Sequence, residues 1–137
     1  MTTRIPEDFL ELLQSRAVAH FATVMPDGAP QLTPVWIDVE EAPEGHYVLV
    51  NSKRGRLKNR NVARRPQVAV EVSDPGNPFR YISIRGRVVA VLEEGAAAHL
   101  ERLSQRYLGR PYPWWGPDEV REIFRIAIDR VRTAKIG

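Results

Sequence analysis

The chain of 137 residues contains no cysteine, which excludes thiol nucleophiles, disulfide bonds and cysteine-ligated zinc sites. It also lacks any run approaching the roughly 20 consecutive apolar residues that a membrane-spanning helix needs. The N-terminal sequence MTTRIPEDFLELLQ carries acidic residues within its apolar stretch, unlike a secretory signal peptide. We therefore expect a cytoplasmic protein with no membrane partner, folded as a single domain over residues 1–137.

Recognisable catalytic motifs are missing as well. The three histidines, His20, His46 and His99, have none of the HxH, HxxxH or HExxH spacings that bind metals. Neither a GxSxG nucleophile motif nor a glycine-rich phosphate-binding loop occurs. The sequence therefore predicts no metal site and no catalytic side chain, so a cofactor must supply the chemistry of any enzymatic reaction.

The chain does have a local excess of positive charge. Residues 53–65 (KRGRLKNRNVARR) contain 7 of the 20 basic residues and no acidic residue, whereas the rest of the chain is slightly acidic. A concentrated charge on a nearly neutral body favours an anionic ligand bound at one place over a polyanion lying along a face.

The apolar pattern predicts a mainly β protein of the α+β type. Alternation predicts six strands, mostly antiparallel, at 17–24, 31–39, 46–51, 67–73, 79–93 and 122–136, with short helices at 6–14, 57–64 and 95–109. The pair Asp27-Gly28 predicts a hairpin turn, and Gly86 indicates a bulge or bend within its strand. Long, bent antiparallel strands favour a small closed or split barrel with two to four helices.

The basic segment follows the third strand and leads into the helix at 57–64. Unsatisfied backbone N–H groups at a helix start carry about half a positive charge and suit a phosphate. Arg56 would approach from the loop as a two-pronged donor and Lys58 as a point charge, while Asn61 lies three residues further along the helix. A solvated basic helix is the alternative interpretation.

Two further segments are candidates for the walls of a pocket. Pro34 interrupts the strand QLTPVW and frees backbone groups at 33–36 to hydrogen-bond the rim of a flat heterocycle; an ordinary edge proline is the alternative. In the loop PYPWWG, the rings of Tyr112, Trp114 and Trp115 are costly to leave in water. They form a core plug, a pocket wall or a lid.

The chain resembles the FMN-binding split-barrel superfamily of pyridoxamine 5'-phosphate oxidase in three segments, taken in order: FATVMPDGAPQLTPVWID, YVLVNSKRGRLKNRNVARRPQVAVEVSDP and PFRYISIRGRV. Within it, the sequence is most similar to the small class that uses the deazaflavin coenzyme F420. The resemblance covers nearly the whole chain. It implies a six-stranded antiparallel split β-barrel and a homodimer with two cofactor sites at the subunit interface.

The resemblance also implies the cofactor-binding residues. The phosphate would be held by Arg56, Lys58 and Asn61, beside Asn51 and Ser52. The ring would lie along the strand at Thr33, Pro34, Val35 and Trp36, with Gln31 nearby. Phe79, Arg80 and Tyr81 would lie close to the same cofactor, from the same subunit or from the other one.

The activity implied is that of an F420-dependent oxidoreductase, in which reduced F420 donates hydride from its ring carbon to a small unsaturated or conjugated substrate. FMN is the alternative cofactor, because both molecules present a tricyclic ring and a ribityl phosphate. A non-catalytic cofactor carrier is another alternative. A small barrel that binds single-stranded nucleic acid is the last, and we do not expect a nucleic-acid partner because residues 53–65 contain no aromatic residue.

Overall fold

The computed structural model describes residues 1–136. Over these residues the chain forms seven strands and three helices: α1 (Glu7–Leu13), β1 (Ala19–Val24), β2 (Pro30–Val35), β3 (Ile37–Ala42), β4 (Gly45–Lys53), α2 (Leu57–Arg64), β5 (Gln67–Asp74), β6 (Asn77–Leu92), α3 (Ala96–Leu108) and β7 (Arg121–Lys135). The mainly β, α+β prediction is confirmed. None of the helices in this range is long and apolar enough to cross a membrane.

The seven strands form one antiparallel sheet in the order β2-β1-β5-β6-β7-β4-β3. Its two edge strands are consecutive in sequence, because β2 ends at Val35, β3 begins at Ile37 and only Trp36 lies between them. Two residues span at most about 7 Å. The sheet must therefore curl until its edges approach each other at Trp36, although β2 and β3 are not hydrogen-bonded neighbours.

The number of strands corrects the sequence-based prediction of six. The single strand expected at 31–39 is two strands, and the consecutive apolar residues Val35-Trp36-Ile37 mark the crossing from one edge of the sheet to the other. The pattern contains no glycine or polar turn signal at this crossing, so alternation alone merged the two strands.

The core lies inside the curled sheet. The alternating valines of β5, Val68, Val70 and Val72, all point inward and are buried, as their spacing predicts. At the centre, the rings of Phe21 and Phe124 are fully buried, with 6.1 Å between their centroids. Helix α1 packs against β3 and β5 and buries its apolar face.

Two glycine signals in the sequence are confirmed. Gly28 has a φ of +87° in the turn between β1 and β2, where the Asp27 carboxylate accepts a hydrogen bond from the backbone N–H of Ala29. At Gly86 the register of β6 against β7 shifts. A Cβ atom at this position would overlap the carbonyl oxygen of Ala127, so the bulge requires glycine.

Candidate functional site

A cavity of about 340 Å³ opens beside Trp36, where the two edges of the sheet meet. Its volume is at the lower end of the range typical of small-molecule sites. One part of its lining is polar and cationic and consists of Asn51, Arg56, Lys58 and Arg121. The other part is apolar and aromatic and consists of Val18, Pro34, Val35, Trp36, Leu100, Leu103, Tyr112 and Trp114.

The start of α2 forms the cationic part together with β7. Arg56 is the N-cap residue of α2, and Lys58 lies in its first turn. No side chain caps the helix, and the first turn holds no acidic residue. The backbone N–H groups of this turn therefore add a partial positive charge to those of the side chains. The placement of Arg56 before the helix and of Lys58 in its first turn is the one that the basic segment predicted.

Lys58 is a buried cation without an ion-pair partner in the described part of the chain. The residue is only 7% exposed. Burial, followed by the nearby charges of Arg56 and Arg121, lowers the pKa of Lys58 to about 8. A buried ammonium group is normally paired. Three cationic side chains around one cavity therefore form a site in which an anion, such as a phosphate, would compensate the charge of Lys58.

Arg121 is the charged residue of the cavity that the sequence did not predict. It begins β7, opposite Lys53 of β4, and is 7% exposed. Its Nε–H donates to Asn51 Oδ1 at 2.9 Å, and one terminal nitrogen donates to Glu119 at 2.7 Å. No local signal could have placed it beside residues 53–65, because the contact depends on the pairing of two strands far apart in sequence.

The aromatic loop between α3 and β7 forms a wall of the cavity, and its Trp114 is 59% exposed. The ring of Tyr112 meets the ring of Trp36 edge-on, with 6.2 Å between centroids. The Glu101 carboxylate accepts hydrogen bonds from the backbone N–H of Tyr112 and from the indole of Trp115. These two bonds hold the pKa of Glu101 below its ordinary value. Of the three readings of this loop, the wall is the one that the geometry supports.

The structure brings six of the sequence-predicted site residues into the cavity: Pro34, Val35, Trp36, Asn51, Arg56 and Lys58. It leaves seven outside the lining: Gln31, Thr33, Ser52, Asn61, Phe79, Arg80 and Tyr81. Apart from the aromatic loop residues and Arg121, the cavity residues that were not predicted are Val18, Leu100 and Leu103. Leu100 and Leu103 lie on the buried face of α3, but the sequence of the helix alone does not show which surface they meet.

Three residues outside the cavity form hydrogen bonds within the protein: Gln31, Ser52 and Asn61. The Asn61 amide donates to Thr23 Oγ1 at 2.9 Å, and that hydroxyl donates to Gln31 Oε1 at 2.8 Å. Asn61 therefore joins α2 to β1 instead of facing the space beside Lys58. Ser52 is fully buried and donates to Asn59 at 2.6 Å, which fastens β4 to α2.

Thr33 lies on β2 with its Oγ1 buried and without a hydrogen-bond partner among the described residues. It pairs with Phe21, so its side chain is on the interior face of the edge strand. An unpaired buried hydroxyl is uncommon in native structures.

The segment 79–81 is at the start of β6, and Phe79 is 64% exposed. Arg80 forms an ion pair with Asp74, with 3.1 Å between nitrogen and oxygen, and its guanidinium lies 4.9 Å from the centroid of the Phe9 ring. In this chain these contacts direct Arg80 towards α1. Its predicted contact with a cofactor would have to be made across a subunit interface.

Comparison with known proteins assigns the chain to a family. The sequence model of a family described as pyridoxamine 5'-phosphate oxidase matches residues 5–135. The chain belongs to the pyridoxamine 5'-phosphate oxidase family. Comparison with curated proteins gives no significant match.

Solved structures share the fold of this chain. A protein titled F420 reductase is 30% identical, with a TM-score of 0.80 over 93% of this chain and 98% of that one. A conserved hypothetical protein from Mycobacterium tuberculosis is 24% identical, with a TM-score of 0.71 over 97% of this chain and 86% of that one. A putative pyridoxamine 5'-phosphate oxidase from Listeria innocua is 19% identical, with a TM-score of 0.66 over 93% and 95%. The last two show the shared fold.

Proposed function

We propose that the cavity beside Trp36 binds coenzyme F420 and that the protein is an F420-dependent oxidoreductase acting on a small unsaturated or conjugated substrate. The observation that carries the proposal is the buried, unpaired ammonium group of Lys58 between two arginines at the start of a helix. The 30% identity to a protein titled F420 reductase supports the choice of cofactor.

The residues present fit such a group. The cations of Arg56 and Lys58 and the N-terminal turn of α2 would hold the phosphate. The interrupted strand at Pro34 and Val35 would lie along the ring, and Trp36 with the aromatic loop would exclude water from it. When bound, the deazaflavin supplies the hydride chemistry for which the chain itself has no side chain.

FMN is the second candidate cofactor, because the family takes its name from pyridoxamine 5'-phosphate oxidase and FMN carries the same ribityl phosphate. Nothing in the phosphate end of the cavity distinguishes the two. Their spectra do, because a protein purified with oxidised FMN is yellow and absorbs at about 450 nm, as expected for a bound flavin cofactor.

We also propose that the protein is a homodimer and that the outward face of β1, β2 and β5 is its interface. Ala22 of β1 pairs with Leu32 on one side and with Ala69 on the other, so the three form one cross-strand row. Leu32 is 64% exposed. A cross-strand row of apolar side chains that starts at an exposed leucine of the edge strand suits a second copy of the chain. Light scattering should give twice the chain mass, and Leu32→Glu should lower it.

The decisive experiment is a titration of cofactor-free protein with F420 and FMN, followed by fluorescence. We expect saturable binding of F420 in the micromolar range and weaker binding of FMN. Tighter binding of FMN would replace F420 by FMN in the proposal. Binding of neither cofactor at tens of micromolar would overturn the assignment as an oxidoreductase of this kind.

A further inference from the structure

We propose that Arg121 is a third anion-binding group of the cavity and that Asn51 positions it rather than contacting the ligand. The proposal rests on the proposed function, since it concerns the cofactor phosphate. It assigns a ligand contact to a residue outside the basic segment and gives Asn51 a different role from the one that its place in the cavity suggests.

Arg121 has one part of its guanidinium committed and one part available. The Nε–H is used by Asn51, and one terminal nitrogen is used by Glu119, whose side chain is 4% exposed. The guanidinium also lies 5.7 Å from the centroid of the Tyr112 ring. The other terminal nitrogen forms no hydrogen bond with the described residues, and Arg121 lines the cavity beside Lys58. A planar guanidinium held at two of its three nitrogens presents its remaining donors in a defined direction.

The orientation of Asn51 follows from the chemistry of its neighbours. Arginine only donates, so the atom that faces Arg121 must be the amide oxygen of Asn51. The amide nitrogen then donates to the carbonyl of Ala96 at 2.8 Å and lies 3.2 Å from Nδ1 of His99. Both polar atoms of Asn51 are therefore engaged within the protein. Asn51 has little capacity left for a ligand, although it lies at the cavity.

The chain of hydrogen bonds continues away from the cavity. Because Asn51 presents an N–H group to Nδ1 of His99, that nitrogen accepts and Nε2–H donates to Asp38 at 3.2 Å. Asp38 also accepts from Arg106 at 2.8 Å. Burial would raise the pKa of Asp38, but the bonds from His99 and Arg106 outweigh it and hold the pKa well below its ordinary value. Asp38 of β3 thus fixes the orientation of Arg121 of β7. The contacts run through His99 of α3 and Asn51 of β4.

The test compares ligands with and without the phosphate. We would measure the affinities of two pairs of ligands: FMN with riboflavin, and F420 with its unphosphorylated deazaflavin riboside. The proteins compared are the wild type, Arg121→Gln, Asn51→Ala and the double variant. Arg125→Gln is the matched control, because Arg125 is on the same strand, is held by Glu40 and lies over the Tyr47 ring outside the cavity. Thermal melts establish that each variant is folded. If Arg121→Gln does not fold, Arg121→Lys takes its place.

We expect Arg121→Gln to weaken binding of the phosphorylated ligand about 10- to 100-fold, the scale of a charged hydrogen bond, and to leave its unphosphorylated counterpart unchanged. Asn51→Ala should produce a comparable loss in the wild-type background and no further loss when Arg121 is already Gln. Arg125→Gln should bind as the wild type does. Arg121→Lys should lose an intermediate amount of affinity, because lysine keeps the positive charge but lacks the paired N–H donors of the guanidinium.

An unchanged preference for the phosphorylated ligand in Arg121→Gln would overturn the proposal and leave the proposed function standing. Additive losses in the double variant would show that Asn51 itself contacts the ligand. If the wild type binds neither cofactor, the proposed function fails, and inorganic phosphate becomes the probe: it should raise the melting temperature of the wild type and of Arg125→Gln more than that of Arg121→Gln. Equal shifts for all three would overturn the role of Arg121.

Discussion

The indole ring of Trp36 is stacked on the phenol ring of Tyr107, with 5.1 Å between the ring centroids and 8° between the ring planes. The hydroxyl of the same tyrosine donates to the carbonyl of Ala17 at 3.0 Å and accepts from the backbone N–H of Ile37 at 3.3 Å. A single side chain of α3 therefore holds the residue that crosses between the sheet edges and the first residue of β3.

Replacing Tyr107 by Phe keeps the ring but removes both hydrogen bonds. The backbone N–H group of Ile37, a fully buried residue, then loses its hydrogen-bond acceptor. We expect a loss of about 1–3 kcal/mol in the free energy of unfolding, the cost of leaving a buried donor unsatisfied. Urea denaturation measures it, with Tyr81→Phe as the control. A loss of the same size in Tyr81→Phe would contradict this role of the hydroxyl.

Replacing Lys58 by Met removes a buried charge while keeping a side chain of similar length. We expect binding of the phosphorylated cofactor to weaken about 10- to 100-fold, and the unfolding free energy to stay equal or rise, because no ion pair is broken. Titration calorimetry and urea denaturation measure the two effects. Lys135→Met, at an exposed position of β7, is the control. Lower stability with unchanged affinity would make Lys58 a structural residue.

The pKa of Lys58 also predicts how stability depends on pH. In the folded protein Lys58 releases its proton near pH 8, whereas in the unfolded chain it keeps the proton until about pH 10.5. Between these values the unfolded state binds more protons, so the stability contributed by this group rises with pH. We expect the wild type to gain stability relative to Lys58→Met from pH 8 to pH 10. Parallel stability curves for the two proteins would refute the shift.

Gly86 should tolerate no side chain, because a Cβ atom would overlap the backbone of β7 at Ala127. We expect Gly86→Ala to lower the free energy of unfolding by about 1–3 kcal/mol or more, as overpacking of a close contact does. Gly76→Ala is the control, since the nearest atom to its added Cβ is 3.4 Å away and belongs to the Asp74 side chain. Equal midpoints of urea unfolding for the two variants would contradict the requirement.

Local signals in the sequence were sufficient where a single element sets the geometry. The helix predicted at 57–64 has the observed bounds, because Pro66 closes it and the strand before it ends in a glycine-containing loop. Arg56 and Lys58 consequently face the cavity as expected. The turn at Asp27 and the bulge at Gly86 are local in the same sense, since each depends on what one residue's backbone can adopt.

The remaining features depend on contacts between distant segments. Asn61 is three residues after Lys58, and three residues advance a helix by about 300°, so their directions differ by about 60°. That difference turns Asn61 towards Thr23 instead of the cavity. Arg121 joins the site only because β4 pairs with β7, and the crossing at Trp36 is evident only once both edges of the sheet are known. No single segment of sequence contains that information.

Trp36 is both part of the cavity wall and the whole connection between two strands that share no backbone hydrogen bonds. A molecule that immobilises its indole therefore restrains both margins of the sheet at once. Amide hydrogen exchange should slow together in β2 and β3 when the cofactor binds, although the two strands are separated by five others in the sheet. We therefore expect occupancy of the cavity to restrain the two edges of the sheet together.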